Sequence, residues 1–537
     1  MKTHPNSFIT LSIFLAYLLI FSACSNNINN ENDALVFRYN EHANITSLDP
    51  AFAKDQRNIW ACNQLFNGLV QLDHELIIQP DIASRWTISK DGRVYTFFLR
   101  KDIYFHKHIL FGKDSTRSLT ANDVVYSLNR LTNDKLASPG SWLMQQVTQI
   151  TAPEEHIVEI KLTSPFPAFL GLLANKHCSV VPKEIVENVN FSREPIGTGP
   201  FYFKRWEENE KLVFRRYDAY HEKDEQGNSL PYLESVAITF LPDKQSEFLQ
   251  FAQKNIDFIS GLDPSYKDEL LTAGGQLSEA YVENVYILKS PYLNTEYLGI
   301  HLPTNTTEIQ SLNLRKAINY GFDRRKMIKY LRNGIGIPGE HGMIPKGLPG
   351  FNASVQYDYQ PEKAKKLVRQ YQQETRDKDV QISITCNANY LNLVEYIQRE
   401  LQKIGIDVAI DVLPPSTIRQ QRSAGKLPIF RASWIADYPD AENYLSLFHS
   451  ANLAPNGPNY THYQSKTFDS LYDEASMTTS SDARSQFYKK MDSLVMCEAP
   501  VVVLYYDEAT RFISKKVSGL GINPINLLDL KRVRKSE

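Results

Sequence analysis

"VQISITCNANYLNLVEYIQRELQKIGIDVAIDV", residues 380–412, carries three patterns in succession. Val380, Ile382, Ile384 and Cys386 alternate with polar residues, the period of a strand with one buried face. Val394, Ile397, Leu401 and Ile404 recur at helical spacing, and Gly405 supplies the stop. "IDVAIDV" then alternates again. Strand, helix and strand in that order predict parallel pairing through a helical crossover. The segment before it, "QPEKAKKLVRQYQQE", opens a helix with Pro361 and stripes Ala364, Leu367, Val368 and Tyr371 along one face. The chain is therefore read as α/β.

Outward from this unit, residues 84–131 form another. "SRWTISKDGRVYTFFLRKDIYFH" sets a Lys90-Asp91-Gly92 turn before a strand rich in aromatic and β-branched residues. "SLTANDVVYSLNRL" follows as a helix with Thr120 at the N-cap, Asp123 at its third position, and Val124, Leu128 and Leu131 buried. Downstream, "RASWIADYPDAENYLSLF" (431–448) reads as a strand with Phe430, Ala432, Trp434 and Ala436 on one face. Ser433, Ile435 and Asp437 share the other, and Tyr438-Pro439 ends the pairing. An acid at the end of an apolar strand is costly unless a cation meets it. That cation is either a structural lysine or arginine, or part of a ligand.

The 537 residues hold 59 Lys+Arg against 61 Asp+Glu, so no basic nucleic-acid footprint exists. The length corresponds to roughly three to four domain-sized units. Lys2 precedes an apolar run, "FITLSIFLAYLLIF" (8–21), too short for a comfortable membrane span and followed by "SAC". This resembles the lipobox of bacterial lipoproteins, which implies a signal peptide at 1–23, lipidation of Cys24, and a polar tether at 24–34. An uncleaved anchor and an ordinary signal peptide remain the other readings. Beyond Cys24 stand Cys62, Cys178, Cys386 and Cys497, without CxxC spacing; no disulfide among them is assigned.

Catalytic motifs are absent from the sequence: there is no GxSxG, HExxH or GxxxxGK. "SAGK" (423–426) sits at a helix end rather than a helix start, and "GIGIPG" (334–339) follows a helix and contains Pro338. "FHKH" places His106 and His108 on one face of a strand, a pair without a third metal ligand, with solvated strand histidines as the plainer reading.

Five stretches in order carry a resemblance. They are "SLDPAFAKDQRNIWACNQLFNGLVQLD" (47–73), the 82–131 unit, "PIGTGPFYFKRWEENEKLVFRRYDAYH" (195–221), "SLNLRKAINYGFDRRKMI" (311–328) and "WIADYPDAENYLSLF". Together they resemble the family 5 extracytoplasmic solute-binding proteins of ABC importers, the oligopeptide, dipeptide and nickel type. The resemblance implies a two-lobed periplasmic-binding-protein fold (type II, cluster C) with an extra domain in the first lobe. Lobe I would take 35–57, 179–289 and 499–537, its extra domain 58–178, and lobe II 290–498. Gly197 and Gly199 then give a tight backbone path near cleft and hinge.

In peptide-binding members the acid of "ADYPD"-like segments meets the ligand's α-amino group, and the matching acid is Asp437. Losing such a pair in a dry cleft costs roughly 3–5 kcal/mol. By the same resemblance, main-chain atoms of Ser433 and Ile435 pair with the peptide backbone, and Lys54, Asp55 and Gln56 stand across the cleft. Trp434 would line a pocket, with Tyr438 and Asn443 as further contacts. Ser433 replaces a common Gly and Ala441 a common Pro. Asp437 as a turn cap and Trp434 as a core residue stay open, and Asp440 reads as a helix start. The resemblance implies short peptides and ABC permease subunits as partners, a monomer lipid-anchored in the periplasm or cell envelope, and no catalytic residue, metal or cofactor. The same fold binding a nickel chelate, haem or oligosaccharide is the alternative, and an exported peptidase a more distant one.

Overall fold

The structure, a computed structural model, describes residues 35–263, 265–376 and 378–536. The expected signal peptide, Cys24 and the tether lie outside the described residues.

The predicted crossover unit forms. Gln381–Cys386 and Asp407–Val412 pair in parallel, with Ile382 opposite Val408 and Ile384 opposite Ile410. The intervening helix Leu391–Gln402 buries Val394, Ile397 and Leu401, and Gly405 turns out of it at φ +89°. Removing one of these side chains, as in Leu401→Ala, opens a cavity worth about 2–5 kcal/mol. "SAGK" ends the helix Pro415–Ser423, with Gly425 at φ +67°.

This unit belongs to a seven-stranded mixed sheet built on two long strands, Val285–Ile300 and Val501–Ser514. They run antiparallel side by side, with a register shift between Pro291 and Thr295. Below the break the pair joins Phe258–Ser260; above it, Val285–Ile300 takes Ile429–Ile435 as its other neighbour. Apolar layers cover both faces of the upper sheet, Tyr297, Phe430 and Tyr444 on one and Leu298, Ile384 and Val394 on the other.

Among the described residues, two four-stranded sheets and two two-stranded ones accompany the seven-stranded sheet. In one of the four-stranded sheets, Val36–Asn40 runs parallel to Ser235–Thr239, which continues into Lys211–Arg216 and Phe201–Glu207. Its core gathers Phe37, Trp60 and Phe214 with Ile513, Leu528 and Val533 from the far end of the chain. In the other, Ala83–Ile88 and Val94–Leu99 form the predicted hairpin, with Gly92 at φ +67°. The helix Ala121–Leu131 packs on that sheet through Val124, Leu128 and Leu131, and the Asp123 carboxylate accepts the Thr120 amide at 2.9 Å.

Gly197 and Gly199 do take a tight path, and what they touch is protein. A side chain at either would meet the end of the helix Gln56–Leu65, 2.1 Å from the Leu65 carbonyl oxygen at Gly197. His106 locks the same loop: its Nε2 lies 3.0 Å from the Gly199 carbonyl and its Nδ1 accepts the Gly197 amide. Burial pushes His106 down to about 4, so it is a neutral structural ring and not a solvated strand residue. His108 accepts the Leu110 amide at 3.2 Å.

Candidate functional site

The strand Ile429–Ile435 has one occupied and one open edge. Toward Val285–Ile300 it is paired over its whole length. The bonds from Ala436 N–H to Leu293 O and from His301 N–H to Pro428 O fix the alternation: even-numbered residues face that neighbour. Main-chain groups of Ser433 and Ile435 therefore face the other way. There, Gln381–Cys386 pairs only as far as Thr385 opposite Phe430. Among the described residues no strand pairs that edge from residue 431 onward, which leaves it open to an added strand.

At the end of this edge lies a cavity of about 620 Å³. Lys54, Asp55 and Gln56 line one side, and Ile435, Asp437 and Tyr438 another, so six of the nine expected residues meet there. Asp437 forms no ion pair with a lysine or arginine among the described residues, and its one side-chain bond is a 3.3 Å contact from the Asn443 amide. The carboxyl is open to the cleft water, yet loss of solvent to the surrounding walls raises its pKa, partly offset by Asn443. No backbone group of the Tyr438-Pro439 turn is capped by it.

The other three stand behind the wall. Asn443, buried, accepts the Trp434 indole N–H at 2.8 Å and the Asp437 amide at 3.2 Å, which sets the direction of the acid. Trp434 is half-buried against the lobe core, and Ser433 lines no part of the cavity with its side chain. Asp440 starts the next helix by accepting the Glu442 amide at 3.0 Å and pairs with Arg484 at 3.3 Å. Tyr438 reaches across the cleft: its ring packs 6.5 Å from Trp142 and 6.3 Å from Phe166, and its hydroxyl donates to Glu442. Opposite, Asp55 is committed to capping the Gln56–Leu65 helix at Asn58 N–H and to Arg57. Gln56 donates to Asn526 O at 3.3 Å. Lys54 makes no ion pair among the described residues.

Sequence reasoning missed Lys176. It lines the cavity without an ion pair among the described residues, and burial lowers its pKa against the pull of Asp81. It sits in a short turn, "NKHC", whose only local signal is the Asn175 cap at His177. Asp81, in the cavity wall, brings a ligand atom within 4.8 Å of those of His221 and Glu222. The cation beside Glu222 is the protein's own Lys531, 2.9 Å away, which also donates to Gln71. The four described cysteines are all free.

Among the described residues no helix is long and apolar enough to cross a membrane. A family model described as bacterial extracellular solute-binding proteins, family 5, middle region, matches residues 78–455. The dipeptide-binding protein of Escherichia coli K12 is 24% identical over 490 residues, 86% of this chain and 87% of that protein. Heme-binding protein A of Haemophilus influenzae is 25% identical, covering 86% and 85%. Among solved structures, HbpA2 from Haemophilus parasuis superposes with a TM-score of 0.82 at 21% identity, covering 94% of this chain and 100% of that one. That likeness carries the two-lobed, type II fold expected from the sequence.

Proposed function

Because this chain belongs to the bacterial extracellular solute-binding proteins of family 5, we propose that it captures short peptides by their free α-amino end and delivers them to an ABC permease. The observation that carries this reading is Asp437, a carboxylate on a cavity wall with no cation partner among the described residues. An α-ammonium supplies that cation, and closure strengthens the pair by removing water. The open edge at Ser433 and Ile435 accepts the peptide backbone independently of its side chains. Lys54 and Lys176 stand on the opposite wall, where the carboxylate end of a short zwitterion would lie. The relative named for dipeptides supports the same ligand class.

In this reading lobe II (290–498) closes on lobe I (35–57, 179–289, 499–537) and its extra domain (58–178) about the break at Pro291–Thr295. Tyr438 on Trp142 is then a closed-state contact. Cys24 is the lipid attachment site, holding a monomer in the cell envelope. The work is binding and release, with no bond made or broken.

Thermal shift with di- to pentapeptides and their N-acetylated counterparts tests the reading. Free-amine peptides are expected to raise Tm and acetylated ones to leave it unchanged. Equal shifts from both series would remove Asp437 as the amine anchor and the peptide reading with it.

A further inference from the structure

Beside the main cavity lies a smaller one of about 200 Å³, and the two share Gln56 and Trp60 as walls. Glu41 lines the small chamber, immediately after the strand Val36–Asn40, with its amide bonded to the Thr239 carbonyl at 2.9 Å. It is only 5% exposed, and its Oε1 has no hydrogen-bond partner. No lysine or arginine among the described residues forms an ion pair with it. The neighbouring charges are already matched: Lys244 lies 2.6 Å from Glu247, and Arg57 3.4 Å from Asp55. His42, also in the wall, is held below its ordinary pKa by burial and by Lys244 and Arg57. Tyr39, two residues before Glu41 on the same strand face, has a buried hydroxyl that also lacks a partner.

A buried acid left without a donor costs stability unless something completes it. We propose that this chamber is a side-chain subsite of the cleft, taking the ammonium or guanidinium head of a basic ligand residue with Glu41 as counter-ion. The ligand being a peptide rests on the reading above; the chamber's chemistry does not. Trp60 and Phe258 line the chamber with Glu41, aromatic side chains suited to the alkyl stem and the charge of such a head. Gln56, held to the Asn526 carbonyl by a single 3.3 Å bond, is the movable part of the partition. Burial raises Glu41 to about 8, with Arg57 opposing and Glu247 adding to the shift. The acid is therefore mostly protonated at pH 7, and an arriving cation ionises it and releases its proton.

The test uses the full mature chain and its Glu41→Gln variant at pH 7. Glutamine is close in size and shape to the protonated acid, and the Tm and circular dichroism of the unliganded variant check that it folds, so loss of folding does not obscure the test. The first probe is n-butylammonium chloride. It is expected to raise Tm of the unaltered protein, with proton release in buffers of different ionisation enthalpy, and to do neither in Glu41→Gln. The second probe is a set of dipeptides carrying lysine or its uncharged isostere norleucine at either position. The lysine peptide is expected to bind about tenfold tighter at one position, a ratio that falls to about one in Glu41→Gln. An amine shift that is absent, or equal in both proteins, overturns the subsite. Amine binding that depends on Glu41 while no dipeptide binds supports the chamber and removes the peptide reading instead.

Discussion

Two charges without an ion-pair partner among the described residues, one buried and one open to the cleft, behave in opposite ways. Arg511, on the long strand Val501–Ser514, is fully buried and forms no ion pair among the described residues. It is nonetheless saturated: it donates to the carbonyls of Gly521 (2.6 Å), Asn526 (3.2 Å) and Leu527 (3.0 Å) and to the Asn526 side chain. Asp437 has one long bond to an amide. Burial lowers Arg511 to about 10, so it keeps its charge at every physiological pH, whereas Asp437 is raised toward neutrality. The satisfied charge is part of the scaffold. It holds the Asn526 carbonyl, which in turn receives the Trp60 indole at 2.8 Å and the Gln56 amide, two walls of the cavity. The unsatisfied charge is what the scaffold leaves open for a guest.

The largest expected effect comes from breaking the satisfied side. Arg511→Met removes the donor to the part-buried Gly521 carbonyl and leaves the Leu527 carbonyl only a 3.5 Å contact from Asn523, besides releasing Asn526. We expect a loss of about 3 kcal/mol or more in unfolding free energy, measured by urea titration. Discrimination between free and acetylated peptides is expected to survive below the new Tm. If that discrimination disappears while the fold persists, the separation of scaffold from site is wrong.

Asp437→Asn is the converse. Affinity for free-amine peptides is expected to drop by about 2–3 kcal/mol in calorimetry, the low end for truncating one partner of a charge pair. The protein itself becomes no less stable. The sign follows from linkage: a carboxyl whose folded pKa lies above its unfolded value binds its proton more readily when folded, so ionising it at neutral pH costs stability. The same shift makes binding acid-sensitive. Peptide affinity is expected to fall as pH drops through the raised Asp437 pKa, above the value near 4 of an ordinary carboxylate, and to be flat in Asp437→Asn.

The two charges also differ in how far the sequence reveals them. Asp437 is visible as an acid closing an apolar alternation, and the 380–412 unit is visible because helix and strand periods survive in a single sequence. Arg511 is not, since its partners depend on the loop 521–527 folding back, and that loop touches Trp60 across 466 residues of chain. The open edge at Ser433 depends on where another strand stops pairing, a register no local pattern encodes. The two glycines of "IGTGPF" announce a close approach without naming their partner, which proves to be Leu65. Asn443, expected as a ligand contact, bonds both Trp434 and Asp437 from the helix Glu442–Leu445, a partnership that local sequence does not announce.

Lys176 sharpens the comparison at its smallest expected effect. Like Asp437 it is a cavity charge without an ion pair among the described residues, and burial disfavours its charged form. For a base the sign reverses. A folded pKa below the unfolded one means the folded protein resists protonation, so the charge costs stability at neutral pH and the cost fades as pH rises. Lys176→Met is therefore expected to raise Tm slightly at pH 7 and less at pH 10. Its effect on binding is confined to one end of the ligand: peptides with a free carboxylate lose about 1 kcal/mol, and C-amidated ones are indifferent. The loss is smaller than at Asp437 because Lys54, on the same wall, is an alternative cation, whereas no second acid without a cation lines the opposite wall beside Asp437. Equal losses for amidated and free peptides would show that Lys176 shapes the cavity rather than meeting a carboxylate.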